Sequence, residues 1–132
     1  MKVKAETFYT IQQDNPPLLP KGWVWAKLGE ISNLQAGNPA PQGEEFFENG
    51  VLPFVRVQDM GALGNKVYLK NTKDYINSKA VIKMKLFPKG SVLFTKSGMS
   101  LLLNQRAILA RDMYIVSHIG VSIPLAPIFA EF

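Results

Sequence analysis

Between Leu86 and Gly120 the chain reads LFPKGSVLFTKSGMSLLLNQRAILARDMYIVSHIG, and this stretch constrains the fold more than any other. Ser91 to Thr95 predicts a buried strand, because Val92, Leu93 and Phe94 favour β-structure and Pro88, Lys89 and Gly90 punctuate the run in front. The strand ends in a small polar loop, Lys96 to Ser100, in which Gly98 permits close backbone approaches that a side chain would forbid. The chain then returns through Asn104 to Leu109, turns at Ala110 to Asp112 and leaves through Tyr114 to His118. Runs this short, separated by glycine and proline, build strands joined by turns. The expectation is a β-dominated single domain of the α+β class, with five to eight short, mostly antiparallel strands and one or two short helices.

The size and charge of the chain bear on its partners. With 132 residues and 47% hydrophobic composition it is long enough for one real core. Fifteen basic residues stand against ten acidic ones, and their distribution is more telling than the net +5. Residues 30–59 hold five acids and Arg56, whereas residues 66–96 hold eight lysines and Asp74. A stretch so one-signed is either a solvated face or the counter-surface of an anion such as phosphate. The absence of cysteine excludes disulfides and thiolate metal sites. No apolar run approaches the ~18 residues that span a bilayer, so a cytoplasmic protein without membrane contact is expected.

Along the chain, residues 1–20 read as an extended arm, with Pro16, Pro17 and Pro20 denying backbone donors. Asn15-Pro16-Pro17-Leu18 resembles the Asn-Pro-Pro-aromatic loop of amino-group DNA methyltransferases, but Leu18 offers no ring to stack on a flipped base, and no glycine-rich cofactor turn follows a strand. Trp23 to Ala26 alternate as a strand would, and their tryptophans read as core; Leu28, Ile31 and Leu34 then take helical spacing. Gly37 to Gly50 is a loop tucked down by Phe46 and Phe47. Leu52 to Met60 predicts a strand that presents Arg56 and Gln58 on one face. Lys66 to Lys70 predicts a short strand with Val67 and Leu69 on one side, and a short helix is expected after Ser78, with Lys79, Lys83 and Lys85 facing outward. His118, the sole histidine, has no partner set for metal binding and reads as a packed or hydrogen-bonded group. Residues 21–126 form the expected domain, and residues 127–132 the start of a helix.

Two groups of residues suit nucleic acid. Asn104, Gln105 and Arg106 are adjacent and each can hydrogen-bond a base edge, since Asn and Gln suit adenine and Arg suits guanine; the plainer reading of this triplet is the polar end of a β-hairpin. Arg56 likewise has two readings, a base contact or an ion pair with a nearby acid.

At these residues the chain resembles a known family. The order Phe-Pro-Lys-Gly-Ser-Val-Leu-Phe, a glycine-containing loop, an aliphatic strand, an Arg-Asp turn and a second strand ending at Ser117 and His118 looks like the target recognition domain of type I restriction-modification specificity subunits. Upstream, LPKGWVWAKLGEI at 19–31 and LPFVRVQDM at 52–60 match the same family in the same order. The resemblance implies sequence-specific recognition of double-stranded DNA by a non-catalytic subunit that directs separate methylation and restriction subunits to a bipartite site. Methyl donor and ATP would bind those partners, so no cofactor or metal is expected. The candidate DNA-binding residues are Arg56, Gln58, Lys83, Lys85, Lys96, Ser97, Gly98, Ser100, Asn104, Gln105 and Arg106. A full specificity subunit looks like two such domains joined by two long helices, so this chain is a fragment, a truncated product or a half-subunit that self-associates. The recognition domain of a fused restriction-methylation enzyme and a protein-interaction module with a basic surface are the alternatives; an enzyme without a recognisable motif is a third.

Overall fold

The structure, a computed structural model, describes residues 18–62, 64–96 and 102–125. The arm up to residue 17, the helix start at 127–132 and loop residues Ser97, Gly98 and Ser100 lie outside the described residues. The described residues form nine strands: β1 Ser32–Ala36, β2 Leu52–Val55, β3 Tyr68–Leu69, β4 Asp74–Ile76, β5 Leu86–Phe87, β6 Val92–Thr95, β7 Arg106–Leu109, β8 Met113–Ile115 and β9 Ile119–Pro124. Among the described residues there are also two single-turn helices, α1 Leu28–Ile31 and α2 Val57–Met60, and a 3-10 turn at Glu44–Phe46. The expected α+β class holds, with more strands than foreseen because several are only two or three residues long.

The strands make a five-stranded sheet in the order β1-β9-β6-β7-β3 and a four-stranded sheet in the order β4-β2-β8-β5. Pairing is antiparallel except for β2 with β8 and β3 with β7. Alternation along β6 and β7 buries Leu93, Ala107 and Leu109 from the first sheet. Phe54, Ile76, Phe87, Met113 and Ile115 from the second sheet join them in one cluster. On the partly buried face Phe94 lies opposite Gly120, and a Cβ at Gly120 would collide with the ring, so glycine there makes room for the aromatic.

The join between the sheets positions everything that follows. β8 passes to β9 through Val116, Ser117 and His118, so the end of a strand in one sheet becomes the beginning of a strand in the other. Val116 N donates to Val55 O at 2.9 Å, and Gly37 N donates to Ile119 O at 3.2 Å. Gly37 passes so close to the Ile115 and Val116 carbonyls that any Cβ would strike them. Next to it, the buried Asn38 amide accepts from Lys85 N at 2.8 Å and donates to Lys85 O at 2.9 Å, pinning the start of β5 to the end of β1.

Several expectations are corrected. The run 52–60 is not one strand: β2 stops at Val55 and α2 begins, because Asp59 turns back to accept a hydrogen bond from Arg56 N at 2.8 Å, satisfying a donor at the helix start. Arg56 and Gln58 therefore do not share a strand face. No helix follows Ser78; the Asn77 side-chain oxygen accepts from Lys79 N and Ala80 N, which favours a turn, and β5 demands extended chain within a few residues. Residues 23–26 form no strand, and Trp23 is 60% exposed, not core. Leu34 sits in β1, beyond the helix, and Val67 is exposed while Leu69 is fully buried. His118 is exposed in the short turn between the sheets, not packed.

Candidate nucleic-acid interface

Sheet register brings one set of strand ends together. In the five-stranded sheet Thr95 pairs with Ile119 and Phe94 with Arg106, so Lys96, His118 and Arg106 leave the sheet at the same end. β3 runs parallel to β7 with Tyr68 opposite Ile108, which places Lys66 in line with Arg106. In the four-stranded sheet the same side carries Arg56 after β2, Lys73 before β4 and Lys85 before β5. The short β8–β9 connection joins these two sets into a continuous rim. Lys66, Lys73, Lys85, Lys96 and Arg106 on it are all exposed.

The carboxylates near this rim are engaged. Asp59, 3% exposed, accepts from Arg56 N at 2.8 Å and from Lys73 N at 3.0 Å, tying α2 to the chain entering β4. Asn65, equally buried, donates to Asp59 O at 3.0 Å and Asn71 O at 2.9 Å and accepts from Lys70 N at 2.9 Å. These buried groups bond the chain itself and hold the segment from Asn65 to Lys73, whose lysines are exposed. Neither Asp59 nor Asn65 stands out in the sequence, where the only signal is Asp at the fourth position after a strand end.

Asp74 pairs with Arg56 Nε, and the Arg56 guanidinium also lies 5.2 Å from the Phe54 ring centre and 5.9 Å from that of Phe47. Of the two readings of Arg56, the ion pair is the one with observed contacts, and the packing over two rings adds a cation–π contribution. Gln58 is exposed on α2.

At the other side of α2 the chain meets the second expected group. The Gln105 amide lies against Gly61, at the end of α2, so closely that a Cβ on Gly61 would displace it. Asn104 adopts the left-handed conformation, φ 49°, which asparagine tolerates better than most residues, and it turns the chain into β7. Arg106 Nη1 donates to the Gln105 carbonyl at 2.8 Å, steering the guanidinium back along the rim. The structure thus brings Gln58, Asn104, Gln105, Arg106 and Lys96 to one region. Lys85 stands further along, with Nζ donating to Gln35 Oε1 at 2.7 Å, and Lys83 is exposed in the preceding turn. Among the described residues no cluster of His, Asp or Glu could hold a metal ion, and no helix is long and apolar enough to cross a membrane.

This arrangement suits a polyanion. Cations separated along a rim meet successive phosphates, and between them the amides can donate to and accept from base edges while the guanidinium donates to them.

Residues 20–125 match the family described as the type I restriction modification DNA specificity domain. Over 105 residues the chain is 38% identical to the type I restriction enzyme MjaIX specificity subunit of Methanocaldococcus jannaschii, covering 78% of this chain and 23% of that protein. It is 35% identical over 71 residues to the EcoR124I/EcoR124II specificity subunit of Escherichia coli, covering 52% of this chain and 17% of the relative. The chain therefore spans less than a quarter of the length of these relatives. The HsdS subunit from Thermoanaerobacter tengcongensis has a similar fold, with a TM-score of 0.65 at 20% identity over 96% of this chain and 30% of that one. A structure concerned with complex assembly and conformational transition of the type I R-M system gives a TM-score of 0.64 at 19% identity, again over 96% of this chain and 30% of the other.

Proposed function

The chain belongs to the family of type I restriction modification DNA specificity domains, and from that membership we infer that its rim reads one short sequence of double-stranded DNA. The observation that carries this reading is the convergence of Lys66, Lys73, Lys85, Lys96 and Arg106 on one set of strand ends, with Asn104 and Gln105 set between them. The lysines, with Lys83 beside them, orient the duplex through its phosphates; this contact carries affinity but no sequence information. Asn104, Gln105, Arg106 and Gln58 read base edges from the region between α2 and β7, and Ser97, Gly98 and Ser100 are proposed as further DNA contacts on sequence grounds alone. Arg56 serves first as scaffold, through Asp74 and the two rings.

In this reading the chain performs no chemistry. Its task is to place methylation and restriction subunits at a site, as the specificity subunits it resembles do, and the domain at 21–126 accounts for one half of a bipartite target. A second copy of the chain, or a second domain on a longer one, supplies the other half. Methyl donor and ATP bind the partner subunits, inside the cytoplasm where the target DNA lies.

The test is duplex binding by the chain across a salt series, combined with selection from a random-sequence pool. Enrichment of one short sequence is expected, with affinity falling as salt rises by a logarithmic slope of about 0.9 for each phosphate neutralised. A Lys96→Ala, Arg106→Ala double variant should lose that enrichment. Binding that selects no sequence, or no binding at low salt, would remove the reading.

A further inference from the structure

The rim is not wholly polar. Leu102 is 78% exposed and Leu103 67% exposed, side by side on a short turn at residues 102–104, between Lys96 at the end of β6 and Arg106 at the start of β7. Single exposed leucines are ordinary on a protein surface, but an adjacent pair framed by cations is not what solubility would select. The turn does not require them either, since the left-handed conformation is taken by Asn104. The C-terminal side of the turn is held: Gln105 wedges against Gly61 at the end of α2, and Arg106 opens β7 opposite Phe94. An apolar tip is thereby presented from a fixed foundation, in the middle of the surface assigned to base contacts.

We propose that Leu102 and Leu103 are specificity-determining residues that recognise thymine by its C5-methyl group in the major groove. This rests on the DNA-recognition reading above and sharpens it. Thymine is the only base that shows an apolar group in the major groove, and apolar side chains are what contact it. The flanking cations argue for nucleic acid over a protein partner as the occupant, because Lys96, Lys66 and Arg106 would be left facing an apolar protein patch without counter-charge, whereas a duplex supplies phosphates on both sides of its groove. The proposal gives the turn a division of labour: hydrogen bonds from Asn104 and Gln105 select the purine partner, and the leucines select the methyl.

The experiment uses the full 132-residue chain and the duplex selected by it from a random pool. Each thymine of that duplex is replaced in turn by deoxyuridine, which keeps every hydrogen bond and removes only the methyl. At one or two positions affinity should fall by about fourfold per methyl, the equivalent of the ~0.8 kcal/mol for burying one such group. In a Leu102→Ala, Leu103→Ala variant the same replacements should cost nothing, while the salt slope stays that of the parent chain. Selective binding that is indifferent to every thymine-to-uracil change would overturn this proposal and leave the DNA reading intact. So would a variant that keeps full uracil sensitivity, including one that merely loses self-association in sedimentation, which would assign the pair to a protein contact. A chain that selects no sequence overturns the DNA reading itself, and this proposal with it.

Discussion

The two ends of this domain are built from the same short strands yet carry opposite electrostatic designs. At the end where β8 hands over to β9, lysines and arginines face outward and the nearby carboxylates are spent, Asp59 on backbone donors and Asp74 on Arg56. At the other end charges are mixed. Asn77 donates to the carbonyls of Glu45 and Glu48, so both acids stand beside Lys79, and Asp112 accepts from Lys89 N at 2.7 Å near Arg111. The lysine-rich stretch 66–96 runs through both ends: Lys66, Lys73, Lys85 and Lys96 emerge on the rim, Lys79 and Lys89 on the opposite side. A one-signed run in a sequence is therefore not a one-signed face, because each strand of two to four residues carries the chain from one end to the other.

Breaking that asymmetry has the largest expected effect. A Lys66→Ala, Lys96→Ala, Arg106→Ala triple variant should flatten the dependence of log affinity on log salt by about 2.7 and weaken DNA binding at 0.1 M salt by roughly two to three orders of magnitude. The matched Lys79→Ala, Lys89→Ala, Arg111→Ala variant should leave both quantities as they were; anisotropy titrations on one duplex settle the contrast. Next comes the scaffold. Asp59→Ala removes the acceptor of two part-buried amides, those of Arg56 and Lys73, and should cost about 1–3 kcal/mol in urea unfolding, whereas Asp112→Ala, which frees only an exposed amide, should cost less than about 1 kcal/mol.

Smaller effects sharpen the picture within the rim. Gly61→Ala should displace the flexible end of Gln105 while changing stability by less than about 1 kcal/mol, so selection from a random pool would return an altered sequence from a protein with an unaltered unfolding midpoint. Lys83→Ala, in the turn crossing from the mixed end to the rim, should reduce the salt slope by no more than about 0.9, one phosphate's worth.

The parts of this fold legible in the sequence are those set by a few neighbouring residues. Val92, Leu93 and Phe94 behind Pro88 and Gly90 announced β6, and the turn at Ala110 to Asp112 separated β7 from β8 as expected. Where local patterns misled, a distant polar partner had intervened. The alternation of Val55, Arg56, Val57 and Gln58 is a strand pattern, overridden by the Asp59 carboxylate, whose second acceptor duty lies fourteen residues away at Lys73. Likewise Ser78 to Lys85 has helix formers but too short a span, because Asn38, 47 residues earlier, clamps Lys85 at the head of β5.

The candidate site divides along the same line. Its residue types were visible: a basic excess, an Asn-Gln-Arg triplet and a resemblance spread along the chain. The sequence alone determined that the chain would be a β-rich domain with a basic excess, since hydrophobic periodicity, turn residues and charge are properties of single positions and their neighbours. Only the tertiary structure decided which lysines share a surface, that Arg56 is turned to Asp74, and that Gln105 meets Gly61 beside an exposed leucine pair. Those outcomes depend on strand order and on two parallel pairings between segments far apart in the chain, which arise from burying all apolar faces at once and are encoded in no single stretch of it.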